Sequence, residues 1–471
     1  GEFKVRVDGI GPLSIAQAVR SAKLDTDAKT TLTFPITAGE GYTTAQVRVR
    51  VDGGGFKVDR KYDVPVRAGW PAVLRSQTRV LDPLVPIELG AAFADGLMPA
   101  SVNVRMTVSA LPPIPFASAL KGALEYPYGC AEQTTSKGYA ALELDDSTAK
   151  LLGVPGLDAK KRRERMEGAF GRLASMQVSS GHFSMWGDDS YISPGLTPYI
   201  VEFLLDAKEA GFAVPDNVLQ KALARLSEDL LAGGAQFYGS DKREHLKFAN
   251  QAYAGYVLSR VNRAPLGTLR ALYDNERGNS LTGLPLVHLG IALSQQGDKN
   301  RGRRSIDQGF AMKGGRPEYL GDYGTKLRDE ALMIALVHER KFSKPEYDAK
   351  VISLGRELDA RRNAGWMYLS TQEQVALARL GKALMVDQQK MVSGNFSLGD
   401  TTEAIAATKL FGRSFDYAAL ARGMRFVPEG QPPMFASMEV AGIPRTPPAF
   451  DNRQIGIERK YYSTDGKEWK G

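Results

Sequence analysis

Glu125-Tyr-Pro-Tyr-Gly-Cys-Ala-Glu-Gln-Thr-Thr-Ser136 decides how this chain is read. It holds the single cysteine of the sequence, Cys130, three positions before Gln133. A thiol and a carboxamide at that spacing close a small ring by losing ammonia, which leaves the cysteine sulfur acylated by the glutamine carbonyl. The product is an internal thioester, an activated acyl group because a thiolate leaves far more readily than an amide nitrogen. Gly129 lets the backbone turn beside the sulfur, and Pro127 stiffens the approach. The run Thr134 to Leu144 reads as a helix, so Cys130 is expected near its N-terminus, where the dipole favours a departing thiolate. The competing reading is a lone cysteine buried as a small hydrophobe.

Outward from this stretch the hydrophobic period changes. On the N-terminal side it is two: Leu32, Phe34 and Ile36 alternate, as do Val47, Val49 and Val51, then Phe56 and Val58 across Asp52-Gly-Gly-Gly55, a hairpin-turn composition. Val102, Val104, Met106 and Val108 alternate again. No Lys-Ser/Thr follows the glycines, so they are not a phosphate loop. The pattern predicts antiparallel sandwiches, with Tyr62 to Pro71 as the passage between two of them. Leu111-Pro-Pro-Ile-Pro115 reads as a rigid linker.

Beyond it a helical period runs for about 270 residues. Its stripes include Met166, Phe170, Leu173 and Met176; Ile200, Leu204 and Ala207; Leu219, Leu223, Leu226 and Leu230; and Val375, Leu377 and Leu380, the last opened by the capping box Ser370-Thr-Gln-Glu373. Recurring helical pairs either stack as a solenoid or close as an α/α toroid, and periodicity does not choose. After Ala383 alternation returns at Met434, Ala436, Met438 and Val440. Pro444 to Pro448 forms another linker, and Ser463-Thr-Asp-Gly466 signals a hairpin whose return strand must lie within Lys467 to Gly471.

The 471 residues suit about three domains. A hydrophobic content of 43% and a charged content of 24% are ordinary for a folded protein. One cysteine forbids an intrachain disulfide and leaves the redox compartment open. The net charge of +8 rests partly on Lys160-Lys-Arg-Arg163 with Arg165 and on Arg301, Arg303 and Arg304. Both runs border helices, have acidic neighbours and lack interleaved aromatics, so they read as solvated faces and no nucleic-acid partner is expected. No apolar run reaches the roughly 18 residues of a membrane span. Gly1-Glu-Phe-Lys-Val begins inside a strand pattern rather than a signal peptide, so the reading expects a fragment or a processed form.

His182, His245, His288 and His338 are the four histidines, and none has metal-ligand spacing; no metal or cofactor is expected. His288 and His338 fall in helical stripes. A cysteine-protease reading pairs Cys130 with His182 or His245 but leaves Gln133 unexplained. A toroid glycosidase or cyclase reading uses Asp188 and Asp189, although adjacent residues rarely flank a scissile bond. A third rival is a scaffold or binding module with an inert cysteine.

Tyr126-Pro-Tyr-Gly-Cys-Ala-Glu-Gln-Thr-Thr-Ser136 resembles the thioester signature of bacterial α2-macroglobulins, and its Cys-x-Glu-Gln centre is shared with the wider α2-macroglobulin and complement family. The resemblance implies a multidomain fold: an all-α α/α toroid, the thioester domain, inserted in and flanked by antiparallel β-sandwich domains of macroglobulin-like and CUB-like type. On that pattern residues 1–84 form a macroglobulin-like sandwich and 85–110 the first half of a CUB-like domain. Residues 111–383 form the toroid, 384–447 the second CUB-like half, and 448–471 the start of a final macroglobulin-like domain.

The implied function is broad-spectrum endopeptidase inhibition rather than enzymatic catalysis. A host or competitor proteinase cuts a bait segment, which is not in this chain. Gln133 then acylates a lysine of the attacker, once per molecule, and Cys130 is released. The internal Cys-Gln cross-link takes the place of any cofactor. Tyr126 and Tyr128 flank the cysteine, and His182-Phe-Ser-Met-Trp186 resembles the family segment whose tryptophan packs near it, so Tyr126, Tyr128 and Trp186 are expected to guard the thioester from water. With little of the final domain present, that guard is expected to be incomplete and the bond more exposed, even hydrolysed. His245 stands where complement-type members carry an acyl-accepting histidine, but its surroundings, Lys-Arg-Glu-His-Leu-Lys-Phe, depart from the complement segment, which favours direct attack by amines. The resemblance further implies a periplasmic, inner-membrane-anchored lipoprotein whose N-terminal anchor lies outside this chain, and a cell-wall-synthesising penicillin-binding protein as a partner.

Overall fold

The computed structural model describes residues 1–39, 43–109, 114–146, 148–149, 156–187, 192–233, 235, 241–312, 316–317, 320–348, 350–364, 368–386, 391–408, 410–429, 434–446 and 460–469. The N-terminal part is β structure: β1 (Glu2–Ile10), β2 (Leu13–Ile15), β3 (Val19–Lys23), β4 (Ile36–Ala38), β5 (Thr43–Gly53) and β6 (Phe56–Val66). The main sheet has the order β3-β1-β5-β6, with β2 and β4 as a separate pair. The expected hairpin forms at Asp52 to Gly55, with Gly53 opposite Phe56. Gly53 has φ +152°, and a Cβ there would meet Glu2 O at 2.2 Å, so only glycine fits against β1. The strand expected through Leu32 and Phe34 shortens to β4, because Pro35 offers no N–H for pairing.

The next strands are β7 (Val73–Leu81), β8 (Ile87–Leu89) and β9 (Asn103–Ser109). They are completed by β10 (Val392–Leu398), β11 (Thr401–Thr408), β12 (Leu410–Asp416), β13 (Met424–Pro428) and β14 (Met434–Gly442), which lie beyond the helical region. Two antiparallel sheets result, β11-β10-β13-β8 and β12-β9-β14-β7. They share one core, in which Val104, Met106, Val108, Phe396, Phe426, Met434 and Met438 are buried. β7 pairs along its whole length with β14, from Val73 opposite Gly442 to Leu81 opposite Met434. The boundary expected at residue 84 therefore falls between Val66 and Val73, as the Tyr62 to Pro71 passage suggests. Alternation identifies a strand, but only its long-range partner says which sheet it joins. β15 (Tyr461–Tyr462) and β16 (Glu468–Trp469) form the expected hairpin.

The helical region runs through α1 (Phe116–Glu125), α2 (Ala131–Glu143), α3 (Ala159–Met176), α4 (Leu196–Glu209), α5 (Asp216–Leu231) and α6 (Arg243–Arg260). It continues through α7 (Leu266–Ala271), α8 (Gly283–Gln295), α9 (Lys299–Ala311), α10 (Lys326–Glu339), α11 (Lys350–Asn363) and α12 (Thr371–Val386). α2, α4, α6, α8, α10 and α12 each pack on the next, and α12 packs back on α2, so these six close a cycle. α3, α5, α9 and α11 pack against them from the other side. Burial follows the same division. Every residue of α8 from Leu284 to Ser294 is buried, whereas α3 buries only the stripe Met166, Ala169, Phe170, Leu173 and Met176.

Polar side chains bridge the cycle inside. Glu202 on α4 accepts from Arg379 on α12 at 2.9 Å and from Tyr253 on α6, and Arg379 also donates to Glu339 on α10 at 2.7 Å. Burial works against an ionised Glu202, but the Arg379 guanidinium beside it wins and holds it down at about 2. Asp206, one turn on, pairs with Arg260 at 2.7 Å, yet there burial dominates and pushes it up to about 6. Outside the cycle, the Asn363 carboxamide at the end of α11 accepts from Ser76 N at 2.7 Å and donates to Ser76 O at 2.8 Å, which covers the free edge of β7.

Glu202 and Arg379 are 1% and 2% exposed. Arg379→Ala strands two carboxylates beside the interior and is expected to cost roughly 3–5 kcal/mol in urea unfolding. A loss below about 1 kcal/mol, the worth of a surface pair, contradicts this account.

Candidate functional site

α2 begins with a capping box built on cysteine. Cys130 is the N-cap, extended at φ −66° and ψ 174°; its sulfur accepts from the backbone N–H of Gln133, and the Gln133 carbonyl oxygen accepts from Cys130 N at 3.2 Å. This is the reciprocal arrangement usually made by Ser or Thr with Glu or Gln three residues on. Here the two residues it links carry a thiol and a carboxamide, the two groups an internal thioester requires. The N–H on the Gln133 oxygen also draws electron density from that carbonyl, as an oxyanion-hole donor does.

The loop before the helix is held from outside. Gly129 O accepts from Arg172 Nε of α3 at 2.7 Å and from Thr134 Oγ1 at 3.2 Å. A Cβ on Gly129 would stand 3.2 Å from Arg172 Nε, so the glycine makes room for that guanidinium. Ala131 N donates to Met185 O at 2.9 Å, which seats the His182 to Trp186 segment against the start of α2.

Glu132, between Cys130 and Gln133, turns inward and is buried. Its carboxylate accepts from Ser136 Oγ at 2.7 Å, Thr371 Oγ1 at 2.8 Å and Gln372 Nε2 at 3.0 Å. Ser136 Oγ in turn meets Tyr199 OH at 3.0 Å. The expected capping box at Ser370 forms as well: Glu373 N donates to Ser370 Oγ at 3.2 Å and Ser370 N to Glu373 Oε2 at 2.9 Å. Both ends of the helical cycle therefore meet at the carboxylate beside Gln133.

The Cys130 thiol is buried, and burial pushes its pKa up. Backbone N–H groups of Gln133 and Glu132 pull the other way, as expected at a helix N-terminus, but they lose to desolvation. Tyr126 and Tyr128 meet edge to face at 5.8 Å between ring centres. Tyr126 is half-buried, while Tyr128 is 65% exposed. Trp186 is 63% exposed; the side chains of its segment that share the core with Cys130 are Phe183 and Met185.

The histidines are engaged elsewhere. His245 is buried at the start of α6, where Nδ1 accepts from Leu281 N at 3.1 Å, and no hydrogen bond joins it to Cys130 or Gln133. His182 Nδ1 meets Thr197 Oγ1 at 2.9 Å and Nε2 stands 3.4 Å from Asp229 Oδ2, so its ring serves α4 and α5 rather than the thiol. His288 stacks on Tyr253 and Tyr256, at 4.2 and 5.3 Å, and burial drives it down to about 3. Asp188 and Asp189 lie outside the described residues.

No family model matches the chain. It is 62% identical over 470 residues to an α2-macroglobulin of Xylella fastidiosa, covering 100% of this chain and 29% of that protein. The chain belongs to the α2-macroglobulin family. Among solved structures, native Escherichia coli α2-macroglobulin, from domain MG7 to its C-terminus, matches with TM-score 0.68 and 28% identity over 100% of this chain and 73% of that one. Salmonella α2-macroglobulin reacted with methylamine matches with TM-score 0.66 and 29% identity, over 100% of this chain and 30% of that one. E. coli α2-macroglobulin activated by porcine elastase matches with TM-score 0.58 and 28% identity, over 100% of this chain and 42% of that one.

Two residues of this α2-macroglobulin site escape a reading of the sequence. Arg172 stands between Gly171 and Leu173, past the basic run that ends at Arg165, and nothing local marks it as a partner of Gly129. Glu132 looks like a first-turn helix charge, and only the polar residues at the start of α12 hint at its burial. Glu132→Ala leaves three buried donors without their acceptor and is expected to cost about 3 kcal/mol or more. A thermal midpoint lowered by several degrees checks this, with Glu132→Gln, which retains one acceptor oxygen, falling between wild type and Ala.

Proposed function

We propose that this chain carries the covalent step of an α2-macroglobulin-type proteinase inhibitor. Cys130 and Gln133 form the internal thioester, and the Gln133 acyl group passes once to a lysine amine of the attacking proteinase. The carrying observation is the cysteine capping box, which links the thiol-bearing and carboxamide-bearing residues by reciprocal bonds to each other's backbone at the start of α2. The methylamine-reacted Salmonella relative supports amines as nucleophiles, and the elastase-activated E. coli relative supports proteinases as partners. The closed cycle of alternate helices supports an α/α toroid as the thioester domain. The interleaving of β7 and β9 with strands beyond the helices supports a split, CUB-like sandwich around it, after a macroglobulin-like sheet.

Tyr126, Tyr128 and Trp186 act as the guard in this reading. The exposure of Tyr128 and Trp186 leaves their outer faces to a covering domain. We place the protein in the periplasm, anchored by lipid at the inner membrane. His245 is given no part, since its ring serves the start of α8.

Intact mass with thiol titration tests the bond. The protein is expected to run one ammonia short of its sequence mass with no titratable thiol. Methylamine then adds its mass and releases one thiol per chain. Cys130→Ser and Gln133→Ala each abolish both signals, while a full starting mass with a freely titrating Cys130 refutes the thioester.

A further inference from the structure

One turn past the reactive carboxamide, α2 carries an amine. Gln133 and Lys137 occupy positions i and i+4 of α2, where side chains meet on one face with Cβ atoms about 5–6 Å apart. Both are half-buried. Side chains on a helix lean toward its N-terminus, which carries Lys137 back over Gln133 rather than away from it. Among the described residues Lys137 has no ion pair or hydrogen bond, although acidic side chains pair with lysines throughout the molecule.

We propose that Lys137 is a built-in acyl acceptor of the thioester: its amine displaces Cys130 from the Gln133 carbonyl and closes a Gln133–Lys137 side-chain amide within α2. In this step the carbonyl carbon loses its bond to Cys130 Sγ and gains one to Lys137 Nζ. The amine proton ends on the sulfur, which becomes a thiol. Nothing else leaves, because ammonia departed when the thioester formed.

The surroundings favour the neutral, nucleophilic amine. Burial lowers the Lys137 pKa, and Arg172 and Arg165, both on α3, which packs on this face, lower it further; only Cys130 opposes them. A lowered pKa gives a larger unprotonated fraction at any pH below it, so transfer to Lys137 speeds up as pH rises. Holding amine and acyl carbon on adjacent turns removes the entropic cost of encounter that a free amine bears. The consequence is a quench: a thioester exposed without a proteinase lysine nearby is spent on α2 itself.

The inference rests on the thioester reading, and one experiment separates the two. The full-length protein is held in mildly alkaline buffer without added amine, and mass, thiol content and peptide map are followed. The expected product keeps the ammonia-short mass while one thiol appears. It no longer takes up methylamine, and it yields a peptide linked between Gln133 and Lys137 that trypsin does not cleave after Lys137. Lys137→Arg is expected to start with the same thioester but to release its thiol on the order of tenfold more slowly, with gain of a water. Lys137→Gln serves the same comparison if the arginine disturbs bond formation. If aged wild type gains a water in step with its thiol and is cleaved normally after Lys137, or if the variants age like wild type, the proposal is overturned while the thioester stands. A full mass and free thiol in fresh wild type overturn both.

Discussion

The Glu132 carboxylate is the contact on which the rest of the site depends. Through Thr371, 239 residues away in sequence, it ties the first turn of the first helix in the cycle to the first turn of the last. Among the described residues no cation pairs with it. Two hydroxyls and an amide do so instead, with help from the positive end of α12, and hydrogen bonds to a charged group contribute about 1.5–3 kcal/mol each. Such a contact exists only once every helix between is in place. Because Gln133 is the next residue, the position of its carboxamide is inherited from closure of the whole helical region rather than from the loop that carries the motif.

Closure also needs the helices to be set at the right rotation about their axes. A helix such as α8, buried on every side, has no apolar stripe to decide which face points where. The polar contacts supply that information. Glu202, Tyr253, Arg379 and Glu339 fix α4, α6, α12 and α10 relative to one another, because any other rotation leaves a buried charge without a partner. The second ion cluster, Arg316 and Arg328 with Asp322 and Asp329, does the same for the start of α10. Apolar burial supplies the stability, and the few ions in it select one arrangement.

How much was legible in the sequence follows from the range of each contact. The glycine hairpin at Gly53, the turn before Gly466 and the capping box at Ser370 are local, and their residue types suffice to read them. The motif around Cys130 is local as well, since the N-cap and its third residue meet whatever the rest of the chain does. The partner of β7 is not local: it lies more than three hundred residues away and left no mark on the alternation of Val73 to Leu81. Trp186 is a subtler case. Its segment is seated by a backbone bond from Ala131 N to Met185 O, so proximity was readable, but His182 to Met185 are all buried and the indole that follows them is exposed, which the residue types do not announce. Arg172 could not be told from Arg165 or Arg163 until α3 was docked on α2.

In the proposed thioester, burial of Cys130 works in two directions. A sulfur whose pKa is raised is a poorer leaving group as thiolate than one at an exposed helix N-terminus. Departure therefore gains from a proton, which an amine supplies as it attacks and an aprotic nucleophile does not. Once the acyl group has moved, the same burial keeps the sulfur as a thiol, and a thiol is not the nucleophile that would return to the carbonyl. The amide left behind is itself a far weaker acyl donor than the thioester. The environment that slows the forward step thus closes the reverse one, which suits a bond meant to react once.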